Sequence, residues 1–144
     1  MDQIEVIPRV PSLEQIRRLQ SEMAKLPQLE LPTEHHFANG MYCRKLFRPA
    51  GTLIVGKVHK HEHLFILAYG ELTIWTETGM RRIGAGTVIE SKPGTKRVTL
   101  AHEDSLAMTI HRTEFTDLDQ IEAEIIEAED SSLFDARNLL KATI

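Results

Sequence analysis

Behind Ser12-Leu13-Glu14-Gln15, whose spacing is that of a capping box, Leu13, Ile16, Leu19, Met23 and Leu26 recur at helical intervals until Pro27. The pattern predicts an amphipathic helix over residues 12–26, with Arg17, Arg18, Glu22 and Lys25 on its solvated face. Residues 27–40, punctuated by Pro27, Pro32, Asn39 and Gly40, read as a connector. From Met41 the pattern changes to short β-like runs: residues 42–47, 52–58, 63–68, 71–77, 87–91, 97–101 and 106–111. The breaks between them are rich in turn residues: Pro49-Ala50-Gly51, Tyr69-Gly70, Thr78-Gly79, Gly84-Ala85-Gly86, Lys92-Pro93-Gly94 and His102-Glu103-Asp104. Evenly spaced short strands predict a mainly β fold, a sandwich or small barrel. Thr116-Asp117 caps a second helical pattern carried by Leu118, Ile121, Ile125 and Ile126, and a last short one is expected over residues 132–141.

The chain of 144 residues is long enough for one globular domain with its own core. No stretch approaches the roughly 20 apolar residues of a membrane span, and the first ten residues lack the basic and apolar regions of a secretory leader, so a cytoplasmic location is expected. Cys43 is the single cysteine, which leaves any metal site to histidine and carboxylate ligands. The net charge of −4 is unevenly spread: residues 114–130 hold eight acidic residues and no Lys or Arg, so the rest of the chain is mildly basic. That acidic run reads as a solvated helix face. Low aromatic content and scattered basic residues exclude a polymeric nucleic-acid track, and Trp75 reads as core.

The densest chemistry lies in Lys57-Val58-His59-Lys60-His61-Glu62-His63. In an extended strand alternate side chains share a face, so His59, His61 and His63 would project together with Lys57. Neutral imidazoles in register suit a first-row metal ion, whereas the flanking lysines oppose one. Lys92 and Lys96 read as solvated turn residues, and His35-His36 as exposed. Arg97 is either a pocket residue or a rim ion pair with Glu90 or Glu103.

Spacing over residues 41–112 resembles the cupin superfamily. Gly51, Lys57, His59, His63 and Gly70 reproduce its first motif, and Gly86, Lys92, Gly94, Arg97 and Ala101 its second, with 15 residues between. The resemblance implies a double-stranded β-helix, or jelly-roll, β-barrel at residues 41–112, with residues 1–40 forming an N-terminal helix and connector. Residues 113–144 would be an acidic helical extension. It extends to uncharacterised single-domain cupins of phage and bacterial genomes. Of the usual cupin ligands His59 is retained; Lys57 stands at the first histidine, His63 at the glutamate and Arg97 at the last histidine.

Lys57, His59, His63 and Arg97 would then face the barrel interior and, with His61 and His111, form a pocket for a small anionic ligand. Arg supplies a planar donor fork and Lys a point charge. The leading expectation is a non-enzymatic, phage-type binding protein without a required cofactor. Its ligand would be phosphorylated or nucleotide-derived, its role sequestration of a host nucleotide signal, and its location the host cytoplasm if phage-encoded. The alternative is a metal-dependent oxygenase, isomerase or hydrolase with iron, manganese, nickel or zinc held by His59, His61, His63 and His111. A third reading is a structural or assembly protein of a phage particle. The apolar run Leu64-Phe65-Ile66-Leu67-Ala68 would tolerate burial on both faces, which suggests a homodimer or larger homo-oligomer.

Overall fold

Buried and exposed positions alternate along β4 (His63–Tyr69), with His63, Phe65 and Leu67 inward and Leu64 and Ala68 outward. That period of two is what lets one strand line an interior with one face. In the computed structural model, which describes residues 12–76, 79–129 and 132–141, nine strands form two antiparallel sheets. The first sheet runs β1 (Thr33–Ala38), β2 (Met41–Arg48), β9 (Ser105–Arg112), β4 and β7 (Val88–Ser91). The second runs β3 (Leu53–Val55), β8 (Val98–Ala101), β5 (Glu71–Thr76) and β6 (Gly79–Gly84).

Phe65, Leu67, Ile89 and Ala107 from the first sheet meet Leu72, Ile74, Ile83 and Ala101 from the second in one apolar cluster. Leu67, Leu72 and Ile74 are fully buried there. The sheets pack face to face as a jelly-roll, and among the described residues no strand ladder joins one sheet to the other, so the expected barrel is not closed. At the sharp link between β4 and β5, Gly70 adopts φ +95°; a Cβ there would lie 2.1 Å from Ser105 Oγ. Glycine is required at that approach.

The helix α1 (Leu13–Met23) starts at the expected capping box, with Ser12 Oγ accepting from the Gln15 N–H and Gln15 Oε1 accepting from the Ser12 N–H. The helix α2 (Leu118–Ile125) is capped by Asp117 and lays Ile121 and Ile125 on Tyr42. After it the chain returns along the loop before β4: Lys60 N–H donates to Ile125 O at 2.8 Å and Glu127 N–H to Val58 O at 2.9 Å. Thus the acidic extension is clamped to one end of the sandwich.

Four expectations change. The connector at residues 27–40 contains β1, and β6 follows the predicted turn at Thr78-Gly79. Both are sheet edges whose mostly exposed, polar side chains give no apolar alternation. Residues 132–141 form no helix; Phe134 and Leu140 bridge across a turn in which Asp135 Oδ1 accepts from the backbone N–H groups of Arg137 and Leu139. The run expected at 52–58 ends as a strand at Val55. Glu77 and Thr78, assigned to a strand and a turn, and Asp130 of the acidic run lie outside the described residues.

Candidate metal centre

Leu64 pairs with Ile110 in the register between β4 and β9, which sets the inward residues His63 and His111 side by side. Their ring centroids are 4.8 Å apart. His59 comes from the loop before β4, where its N–H donates to Thr95 O and its C=O accepts from the Gly94 N–H. The backbone also bridges to Ile126. Its ring lies 4.2 Å from that of His63 and 5.3 Å from that of His111. One ring nitrogen from each of the three falls within 4.8 Å of the other two.

Burial keeps these imidazoles neutral. Desolvation, then the neighbouring histidines and Arg97, lowers His59 to about 2. Desolvation, His63 and two arginines lower His111 to about 3, and desolvation outweighs a backbone hydrogen bond to bring His63 to about 4. Two second nitrogens are engaged: His63 Nδ1 with His61 O at 3.3 Å and His111 Nε2 with Thr109 Oγ1 at 2.9 Å. His63 Nε2 is buried with no hydrogen-bond partner. Neutral rings, two of them oriented through their second nitrogen and one with an orphaned buried lone pair, fit a divalent first-row ion.

The other expected site residues separate from this group. Residues 57–62 form a loop, so strand alternation does not govern them, and His61 is exposed, contributing its carbonyl to His63. Lys57 turns away to pair with Glu122 and donates to Phe134 O at 3.0 Å. Arg97 is buried, donates to Ser91 Oγ and sits 4.6 Å over the Phe65 ring rather than at a rim ion pair with Glu90 or Glu103. It still acts on the centre, because its charge lowers all three histidines. Lys96 is not a solvated turn residue: its side chain is 1% exposed and pairs with Glu129 at 3.1 Å. The acidic run therefore supplies Glu122 and Glu129 as partners for two lysines.

Sequence reasoning offered Tyr42 only as an aromatic able to stack on a base and did not place it beside the histidines. It is buried, stacks 5.8 Å from His111 and shares a 2.7 Å hydrogen bond with His35 Nδ1. Desolvation pushes its phenol up to about 12, so it stays protonated. Its alternation along β2 was visible, but its cross-strand partner His111 was not.

A cleft of about 570 Å³ opens beside His63 and His111, with Glu62, Glu90, Glu114 and Arg112 at its walls. A second, of about 490 Å³, reaches His59 and His111 past Ile125 of α2. The two share Glu62, His111, Arg112 and Glu114, so the centre is approached from two sides of one acidic mouth.

No protein-family profile and no curated protein matches the sequence. Solved structures do match in shape. KdgF from Halomonas sp. superposes with a TM-score of 0.53 at 15% identity, over 61% of this chain and 83% of that one. The cupin domain of Schizosaccharomyces pombe Cnp3 gives 0.51 at 15% identity, over 64% of this chain and 72% of that one. A salicylate 1,2-dioxygenase from Pseudaminobacter salicylatoxidans gives 0.53 at 10% identity over 65% of this chain, which spans only 30% of the dioxygenase. The chain has the cupin fold. No helix among the described residues is long and apolar enough to cross a membrane.

Proposed function

We propose that this cupin-fold chain binds one divalent metal ion through His59, His63 and His111, and that a small anionic ligand completes the site. The convergence of three neutral imidazoles, two of them fixed through the other nitrogen and one with an orphaned Nε2, carries the reading. Metal-free, that arrangement buries a lone pair that nothing satisfies; an ion turns it into a bond.

The anion follows from charge. Three neutral ligands leave a divalent ion uncompensated, and Arg97 adds a permanent positive charge nearby. Glu62, Glu90 and Glu114 at the mouth oppose a polyphosphate, so the favoured ligand carries a single anionic group that reaches inward. The bound ion supplies Lewis-acid stabilisation of negative charge on a ligand it holds. The chain's own residues orient the ligand nitrogens through Thr109 Oγ1 and the His61 carbonyl, while α2 narrows the approach beside His59 and His111.

Calorimetric titration of metal-free protein with Zn(II), Mn(II), Fe(II) and Ni(II) tests the metal step. Acetate, inorganic phosphate and AMP are then added to the loaded and the metal-free protein. The expected result is one site per chain for at least one ion, and tighter binding of acetate or phosphate to the loaded form, with AMP weaker. Absence of binding by every ion contradicts the metal reading; AMP binding equally well with and without metal favours the nucleotide ligand expected from sequence.

A further inference from the structure

Arg48 ends β2 and is turned between the two sheets, where it is 5% exposed. Its Nη1 donates to Thr99 Oγ1 of β8 at 2.8 Å, so the guanidinium crosses the interior from one sheet to the other. Its Nε is buried with no hydrogen-bond partner, and among the described residues no carboxylate pairs with it. The charges that act on it, from Arg97 and Arg44, are both positive. Desolvation and those neighbours lower it only to about 10, so the group remains a cation at neutral pH.

An isolated cation in a protein interior costs several kcal/mol, and arginine cannot escape the cost by losing its proton. Proteins meet this cost with a carboxylate or with a bound anion. Here the strand facing Arg48 offers only neutral groups, with Ser105 opposite it in the β9 register and Ala107 two residues on, and the charged groups that act on it are arginines. Thr99 accepts from Arg48 through Oγ1, which leaves its own O–H to donate to a third group. The unused Nε–H lies on the guanidinium edge away from Nη1 and Thr99, and that edge is a donor set for an anion.

We propose that the interior of the sandwich holds a small anion, a halide or the carboxylate of an organic acid, against the Nε edge of the Arg48 guanidinium, whose other edge Thr99 fixes. This site is separate from the histidine centre and independent of whether a metal is bound there. Because Arg48 is buried between the sheets, anion binding is coupled to folding and is read out in stability.

Thermal unfolding of the metal-free full chain, in sodium chloride, bromide or acetate at matched ionic strength, tests this for wild type and for Arg48→Met and Arg48→Lys. In wild type the melting temperature should differ between anions and, for the preferred one, rise by roughly 4 °C per tenfold increase in concentration. Arg48→Met, which keeps the volume and removes the charge, should lose both the ranking and the slope; Arg48→Lys should keep part of the slope. Preference for bromide identifies a halide site, and preference for acetate a carboxylate site. Identical anion responses in wild type and Arg48→Met overturn the proposal. Should Arg48→Met fail to fold, crystals of wild type grown in sodium bromide and in sodium acetate decide it: an anomalous bromide peak or acetate density in contact with Arg48 is expected, and the absence of both overturns the site.

Discussion

The two ends of the interior are built by the same strands to opposite purposes. On β4 the inward residues change from His63 to Leu67, and on β9 from His111 to Ala107. At the leucine end, Leu67, Leu72, Ala101 and Ala107 exclude water completely, and each fully buried leucine contributes about 2–3 kcal/mol to folding. At the histidine end, burial acts against the groups it encloses, because three imidazoles lose water and gain few partners. The contrast teaches that the apolar end holds the fold while the polar end is carried by it, a division expected where a site is selected for binding.

That division can be broken at several points. Truncating the apolar end should cost most: Leu72→Ala is expected to lose about 2–5 kcal/mol in urea unfolding while the folded fraction keeps its metal stoichiometry. A loss under about 1 kcal/mol would place the core elsewhere.

Acid should act at the opposite end. The three histidines have folded pKa values of about 2 to 4 against an ordinary 6.5, so as pH falls the unfolded chain takes up protons first. The stability of metal-free protein should be full above about pH 7. It should then decline from pH 6.5 towards 4, by about 1.4 kcal/mol per proton per pH unit. The wild type should therefore show a steeper acid loss than a variant with His59, His63 and His111 all changed to glutamine; equal slopes would show that these rings are not buried neutral.

The lysine pairs of the acidic extension should rank below that. Glu129→Gln leaves the Lys96 amine buried and is expected to cost about 3 kcal/mol. Lys57→Met, at a pair more open to solvent, should cost under about 1 kcal/mol in the same unfolding measurement. Reversed order would mean that Lys57, not Lys96, anchors the extension.

Much of the fold was legible because the central strands alternate. His63–Tyr69 and Ser105–Arg112 carry the interior on every second residue, and glycine spacing set their order in the cupin pattern. Edge strands were not legible, since Thr33–Ala38 and Gly79–Gly84 bury little and carry the polar side chains that protect an edge. Within the site, His59 and His63 were read together with His61 from assumed strand periodicity, but the chain leaves extended form at Val55 and re-enters it at His63. His111 was identified as a fourth histidine through the last strand, yet its neighbour Tyr42 and the burial of Arg48 depend on cross-strand register and on packing between sheets. Lys57 and Lys96 were misplaced for a related reason: their partners, Glu122 and Glu129, lie 65 and 33 residues away.

The most direct test of the metal centre is elemental analysis after loading and removal of excess ion, applied to wild type, His61→Ala, His59→Ala, His63→Ala and His111→Ala. The structure predicts one equivalent per chain in wild type and in His61→Ala, whose exposed ring takes no part, and loss of the ion in the other three. Retention in His63→Ala, or loss in His61→Ala, would contradict a centre built from His59, His63 and His111.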